Sequence, residues 1–131
     1  MSAMTSKDTD DGSLHGLRAL VVEDHSPAAQ ALASALTDLG VQVVGPVATP
    51  VEAERLTKAE CPDLALVDLN LDGEEAVDLI QWLVKSDLRV IVMSGFASLP
   101  KAIGDDIHFL QKPFSGEELL AALHEGSPAA A

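Results

Sequence analysis

Short unbroken apolar runs alternate with longer amphipathic stretches, and this alternation constrains the fold more than any other feature of the sequence. The runs are Ala19–Val22, Leu64–Val67 and Val90–Met93. Runs without a polar residue at every second position are typical of strands covered on both faces of a parallel sheet. Between them, apolar residues recur at helical spacing, as at Leu32 and Leu36. The alternation predicts an α/β fold in which helices connect parallel strands by right-handed crossovers.

Weaker signals complete the predicted order of elements. Val41–Val44 contains one polar residue and suits an edge strand, and Phe109–Gln111 suits a short last strand. Capping boxes at Thr49–Glu52 and Ser115–Glu118 mark the starts of two helices. A further helix is predicted from Glu74 to Lys85.

Length and composition favour one globular domain. The chain has 131 residues, of which 47% are hydrophobic. We expect a flexible acidic tail at 1–15, the domain at 16–125 and a disordered tail at 126–131.

The net charge of −13 and the scattered cations argue against nucleic acids and anionic membranes as partners. No apolar stretch approaches roughly 18 residues, and one cysteine cannot form an internal disulfide. A cytoplasmic protein is therefore expected.

Chemically active residue types stand at the predicted ends of four strands. Glu23 and Asp24 follow the first strand, Asp68 the third, Ser94 the fourth and Lys112 the fifth. In open parallel sheets, ligands bind beyond the carboxyl ends of the strands. If the first strand lies beside the third, these side chains converge on one pocket.

The chemistry of that pocket would suit phosphoryl transfer. Clustered carboxylates repel one another, and a hard divalent cation such as Mg²⁺ removes that cost. The Lys112 ammonium and the Ser94 hydroxyl could each bind a phosphoryl oxygen, which is the positioning and charge stabilisation that this reaction requires. The central Asp68 is the expected nucleophile.

Four segments carry a resemblance to a known family: LVVEDHSPAA, PDLALVDLNLDGEE, VIVMSGF and FLQKPFSGEEL. From Leu17 to Glu125 the chain resembles the receiver domains of response regulators. The resemblance implies a flavodoxin-like, doubly wound sheet of five parallel strands in the order 2-1-3-4-5, with helices on both faces. The VMSGF segment and the GPV turn near Gly45 are also similar to the FATGUY-type single-domain receivers.

The resemblance also implies a metal site. Glu23 and Asp24 would form the acidic pair that holds Mg²⁺ together with Asp68. Asn70, two residues further on, would add its backbone carbonyl as a ligand.

Further roles follow from the same resemblance. Asp68 would be the phosphoacceptor, and Ser94 the hydroxyl that follows the phosphoryl group. Lys112 would contact a phosphoryl oxygen, and its bond to Pro113 is expected to be cis. Phe109 would be the aromatic residue that switches rotamer.

The implied function is that of a single-domain response regulator in two-component signalling. A sensor histidine kinase or a histidine phosphotransfer protein would donate the phosphoryl group, and an unknown downstream protein would respond. The chain would catalyse its own phosphorylation and dephosphorylation and would not be a turnover enzyme.

The chain departs from the family pattern around two loops. Asp72 stands where a proline is usual, and Ala76 stands where a glycine is usual. The stretch from Ser94 to Lys112 is short, and Pro100 and Gly104 limit any helix there to about one turn at Lys101–Ile103. The fourth helix is thus expected to be short or absent.

Residues 95–107 are expected to form a mobile surface that partners recognise. Phe96, two residues after Ser94, is expected to shield the aspartyl phosphate from water.

Rival functions fit less well. Asp68–Gly73 matches the start of a calcium-binding EF-hand loop, but Leu79 occupies the position that needs a bidentate glutamate. A haloacid-dehalogenase-type phosphatase needs a second aspartate as general acid, where this chain has Asn70. A flavodoxin-like nucleotide binder would need a glycine-rich loop after the first strand, and none is present.

Overall fold

A computed structural model describes residues 14–96, 99–104 and 107–125. The elements in chain order are β1 (Arg18–Val22), α1 (Ser26–Asp38), β2 (Gln42–Val47), α2 (Pro50–Glu60), β3 (Leu64–Asp68), β4 (Asn70–Leu71), β5 (Glu74–Glu75), α3 (Val77–Lys85), β6 (Arg89–Ser94), a 3₁₀ turn (Lys101–Ile103), β7 (His108–Gln111) and α4 (Gly116–Glu125). Five strands form a parallel sheet in the order β2-β1-β3-β6-β7, while β4 and β5 pair separately. Because β6 and β7 are the fourth and fifth strands of this sheet, the order is the predicted 2-1-3-4-5, which confirms the flavodoxin-like topology.

Helices cover both faces of the sheet. On one face, α1 and α4 bury Leu36 and Leu123 against strand residues such as Leu66. On the other face, α2 and α3 bury Ala53 and Ile80. The central strand β3 is buried along its whole length, as its unbroken apolar run predicts.

The two predicted capping boxes form at helix starts. The amide of Glu52 donates to Thr49 Oγ1 at 3.2 Å. The amide of Glu118 donates to Ser115 Oγ at 3.0 Å, and Glu118 Oε1 accepts the Ser115 amide at 2.8 Å. The bonds at Ser115 are reciprocal, whereas at the other box Glu52 Oε1 accepts the Ala48 amide at 3.4 Å. Both sets satisfy amides that have no partner within the helix.

The start of α3 differs from the prediction. The helix begins at Val77 rather than at Glu74, because Glu74–Glu75 pair with Asn70–Leu71 in an antiparallel hairpin. Asp72 and Gly73 close this hairpin with φ values of 53° and 82°. An Asp-Gly pair is well suited to such a turn, and turn chemistry outweighs the helical propensity of the two glutamates.

The connection between β6 and β7, where it is described, contains one short turn, as predicted. The described residues hold a single 3₁₀ turn at Lys101–Ile103, which ends at Gly104 with φ 87°. Ile103 is buried against the core that α3 covers.

The strand β2 lies at one edge of the sheet and is irregular. Its pairing with β1 shifts register after Val44. Gly45 has φ 98°, and a Cβ there would lie 2.9 Å from the Val47 amide nitrogen. Glycine is therefore required at this close approach.

The N-terminal tail is predicted at 1–15 and the C-terminal tail at 126–131, and residues 1–13 and 126–131 lie outside the described residues. Leu14 is buried in the core, so the folded part already includes this residue.

Within the described part of the chain, no helix has the length and apolarity needed to span a membrane.

Candidate functional site

The carboxyl ends of four neighbouring strands bring the predicted site residues together. Glu23 follows β1, Asp68 ends β3, Ser94 ends β6, and Lys112 follows β7. Parallel pairing aligns these ends, since Val22 lies opposite Val67 and Asp68 opposite Met93. The site therefore follows directly from the sheet order.

Lys112 joins two buried carboxylates at the centre of the site. Its Nζ lies 2.9 Å from Glu23 Oε1 and 3.1 Å from Asp68 Oδ2. Glu23 is 4% exposed and Asp68 is 7% exposed. A cation shared by two nearly buried carboxylates offsets their repulsion and holds both in place.

Backbone amides fix the second oxygen of each of these carboxylates. The His25 amide donates to Glu23 Oε2 at 3.2 Å, and the Asn70 amide donates to Asp68 Oδ1 at 3.1 Å. The Asp68 side chain thus has one oxygen on an ammonium and one on an amide, which fixes its orientation before any substrate arrives.

The pKa values of Glu23 and Lys112 are both raised above their ordinary values. Burial of Glu23, reinforced by the neighbouring Asp68, raises the pKa of Glu23 above 4.5, although bonds from Lys112 and His25 act in the opposite direction. Burial alone would lower the pKa of Lys112, but its bonds to Glu23 and Asp68 raise it above 10.5. Lys112 is therefore held as an ammonium ion.

Three carboxylates form a candidate cation site. Glu23, Asp24 and Asp68 each offer an oxygen, and these oxygens lie within 4.8 Å of one another. Hard cations such as Mg²⁺ take oxygen ligands and retain water, so this donor set fits such an ion. A role for the Asn70 carbonyl as a ligand stays a prediction.

Ser94 lies at the edge of this cluster and Phe109 lies elsewhere. Ser94 is buried, and its Oγ accepts the Phe96 amide at 3.0 Å. Its carbonyl accepts the Lys112 amide at 2.7 Å, which links the ends of β6 and β7. Phe109 is half-buried on β7 and lines a separate cavity beside the 3₁₀ turn with Leu99. Its switching role stays a prediction.

The Lys112-Pro113 peptide bond is cis, as expected.

An apolar groove opens beside Lys112, between α1 and α4. Residues of both helices and of the preceding loop line it, among them Ala28, Ala31, Leu32, Phe114 and Leu119.

The sequence analysis does not predict one contact of the site. The Asp72 amide donates to Asp24 Oδ2 at 2.7 Å, across 48 residues of chain. The Asp-Gly pair at Asp72 and Gly73 is a hairpin signal from which this turn could have been predicted.

Comparisons with known proteins agree with this geometry. The response regulator receiver domain family matches residues 19–124. The regulatory protein VirG of Rhizobium rhizogenes is 30% identical over 110 residues, which are 79% of this chain and 45% of VirG. The photosynthetic apparatus regulatory protein RegA of Cereibacter sphaeroides is 27% identical over 79% of this chain and 59% of its own length. The chain thus spans about half the length of these curated relatives.

Solved structures show the same fold. A CheY-like receiver domain from Methylobacillus flagellatus superposes with a TM-score of 0.75 at 26% identity, covering 85% of this chain and 98% of that one. The response regulator PhyR from Brucella abortus superposes with a TM-score of 0.77 at 24% identity, over 94% of this chain and 52% of PhyR. With the family match spanning nearly all of the described residues, the chain belongs to the receiver domain family of two-component response regulators.

Proposed function

We propose that this receiver accepts a phosphoryl group on Asp68 from a phosphohistidine, with Mg²⁺ bound beside it. The observation that carries the proposal is the buried Asp68 carboxylate, which is held by Lys112 and by the Asn70 amide at the meeting point of four strand ends. A carboxylate so oriented is a suitable nucleophile for in-line attack on phosphorus.

The transfer exchanges one bond to phosphorus for another. An Asp68 oxygen forms the new O–P bond, the N–P bond to the donor imidazole breaks, and the imidazole nitrogen keeps the electron pair and takes up a proton from solvent. Lys112 then offers its ammonium to a phosphoryl oxygen, and the Ser94 hydroxyl offers a hydrogen bond. No side chain needs to act as a general base, since a carboxylate attacks without losing a proton.

Glu23, Asp24 and Asp68 would hold the metal ion. When bound, Mg²⁺ supplies positive charge against the phosphoryl oxygens. The protein's own contribution is to keep three carboxylates close together.

The chain promotes its own phosphorylation and its own dephosphorylation, and it is not a turnover enzyme. Phosphorylation would change the contacts of Ser94 and Phe109 and so control a downstream protein. A cytoplasmic location and single-domain action stay predictions that accompany this proposal.

The donor is a histidine kinase or a histidine phosphotransfer protein. Such a donor needs a surface from which its histidine reaches Asp68, and the apolar groove between α1 and α4 is continuous with the site through Lys112. A helical donor with an apolar face fits this groove. Purified phosphorylated kinases, tested for transfer of label to this chain, would identify the cognate one.

Substitution of the acceptor tests the phosphorylation site. Acetyl phosphate or a phosphohistidine donor should label the wild type only when Mg²⁺ is present, and Asp68→Asn should remain at background. Asp87→Asn is the matched control, because Asp87 is exposed, has φ 67° and tolerates asparagine there. Labelling of Asp68→Asn at the wild-type level would refute the proposal.

A second variant separates donor docking from chemistry. Ala31 is exposed on α1 and lines the groove, so Ala31→Glu should weaken transfer from a protein donor by about tenfold or more through an unpaired charge at the interface. Labelling by acetyl phosphate should be unchanged. Equal loss with both donors would argue against docking in this groove.

A further inference from the structure

The loop after Asp68 is a two-residue hairpin that touches the acidic cluster. Its strands pair Asn70 with Glu75 and Leu71 with Glu74, and Asp72 and Gly73 both adopt positive φ. The amide of Asp72 points at Asp24 Oδ2 at 2.7 Å, and the amide of Gly73 points at Asn70 Oδ1 at 3.0 Å. Two successive amides of the turn are thus committed to side-chain oxygens.

Asp24 needs this contact more than its neighbours in the cluster do. Glu23 and Asp68 are buried and share Lys112, whereas Asp24 is exposed to solvent. A short, charge-assisted bond from a backbone amide limits rotation of an exposed carboxylate. A fixed carboxylate loses less conformational entropy on binding a cation than a freely rotating one.

We propose that Asp72 is a positioning residue of the cation site, which acts through its backbone amide on Asp24. The inference rests on the proposed function, since it concerns the same Mg²⁺ site. The amide engages Oδ2 and fixes the plane of the carboxylate, so that its other oxygen can face the ion. The side chain of Asp72 is needed only to favour the turn.

The turn sequence explains why the amide takes this direction. An Asp-Gly pair adopts two positive φ values at low cost, and in the resulting hairpin the Asp72 N–H is directed at Asp24. Proline at this position would remove the donor and would fix φ near −65°. The single change Asp72→Pro therefore deletes the contact, while Asp72→Asn preserves both the amide and the turn.

The experiment measures Mg²⁺ affinity by calorimetric titration of the metal alone into the full chain. Asp72→Pro should raise the Mg²⁺ dissociation constant by about tenfold or more, the scale of a lost hydrogen bond to a charged group. Asp72→Asn should stay within about threefold of the wild type, because only the side-chain charge changes.

Two alanine substitutions, at Gly73 and at Gly16, keep the test decisive if Asp72→Pro does not fold. Gly73 and Gly16 have φ values of 82° and 85°, and an added Cβ would meet nothing within 4 Å at either position. Both alanine variants should lose similar stability in urea, since alanine disfavours positive φ. The Mg²⁺ dissociation constant should rise about threefold in Gly73→Ala and should not change in Gly16→Ala.

The outcomes are distinct. Absence of Mg²⁺ binding by the wild type would overturn the proposed function together with this inference. A wild-type affinity in folded Asp72→Pro, or equal affinities in Gly73→Ala and Gly16→Ala, would overturn the inference alone.

Discussion

Two connections lead away from the site, one after β3 and one after β6, and they differ in how much of each is buried. The hairpin connection, residues 69–76, buries Leu69, Leu71 and Ala76. The long connection, residues 95–107, buries Ile103 among its described residues and exposes Phe96 to 70%. The shorter connection thus contributes three residues to the core.

Hydrogen bonds reinforce this difference. In the hairpin connection, the Leu69 amide donates to the Met93 carbonyl at 2.8 Å, and the Ala76 amide donates to the Leu69 carbonyl at 2.6 Å. The long connection is tied to α3 by Gln81, whose Nε2 donates to the Ala102 carbonyl at 2.7 Å. We therefore expect the hairpin side of the site to be preorganised and the side of the long connection to respond to phosphorylation.

Truncation of one buried side chain in each connection should give the largest effect. Leu71→Ala should cost about 3 kcal/mol of unfolding free energy, because the bonded hairpin cannot collapse into the cavity. Ile103→Ala should cost about 2 kcal/mol, the low end for such truncations, because the short turn can shift toward α3. Urea unfolding monitored by Trp82 fluorescence measures both. An equal or reversed order would contradict the comparison.

Amide exchange should distinguish the two connections directly. In the unphosphorylated protein, amides of the long connection should exchange faster than those of the hairpin connection, since fewer of its described residues are buried. A phosphoryl mimic at Asp68 should slow exchange in the long connection and leave the hairpin connection nearly unchanged. Uniform helical protection across 96–106 in both states, or a pattern that the mimic leaves unaltered, would count against this view.

The smallest effect is expected at Phe96, where the long connection begins. Phe96→Ala should speed loss of the phosphoryl group from Asp68 by about twofold to threefold, because a ring two residues past Ser94 limits the approach of water. Decay of labelled protein after removal of the donor measures the rate. Val51→Ala is a suitable control, since Val51 is also exposed, at 76%, and lies on α2. Slower or unchanged decay in Phe96→Ala would remove the shielding role.

The sheet and the centre of the site were predictable for a simple reason. Unbroken apolar runs locate buried parallel strands, and parallel pairing aligns the ends of those strands. Glu23, Asp68 and Lys112 therefore had to meet once the order of strands was right. The short turn at Lys101–Ile103 was also predictable, since Pro100 and Gly104 act locally.

Two features were not predicted, one because it depends on a contact distant in sequence and the other because two local signals compete. The bond between the Asp72 amide and Asp24 joins positions 48 residues apart and involves the backbone, which carries no residue-specific signal. The start of α3 was misplaced because Glu74 and Glu75 favour a helix by themselves, while the Asp-Gly turn commits them to a hairpin.

The irregular strand β2 determines how other chains can approach this protein. An open strand edge normally offers a row of free amides and carbonyls, to which a foreign strand can add. Pro46 has no amide to offer, and the register shift after Val44 interrupts the even spacing that strand addition needs. The opposite edge, β7, is four residues long and is followed closely by Pro113. Both margins are thus poor templates for strand addition, and we expect recognition to proceed through helices and loops.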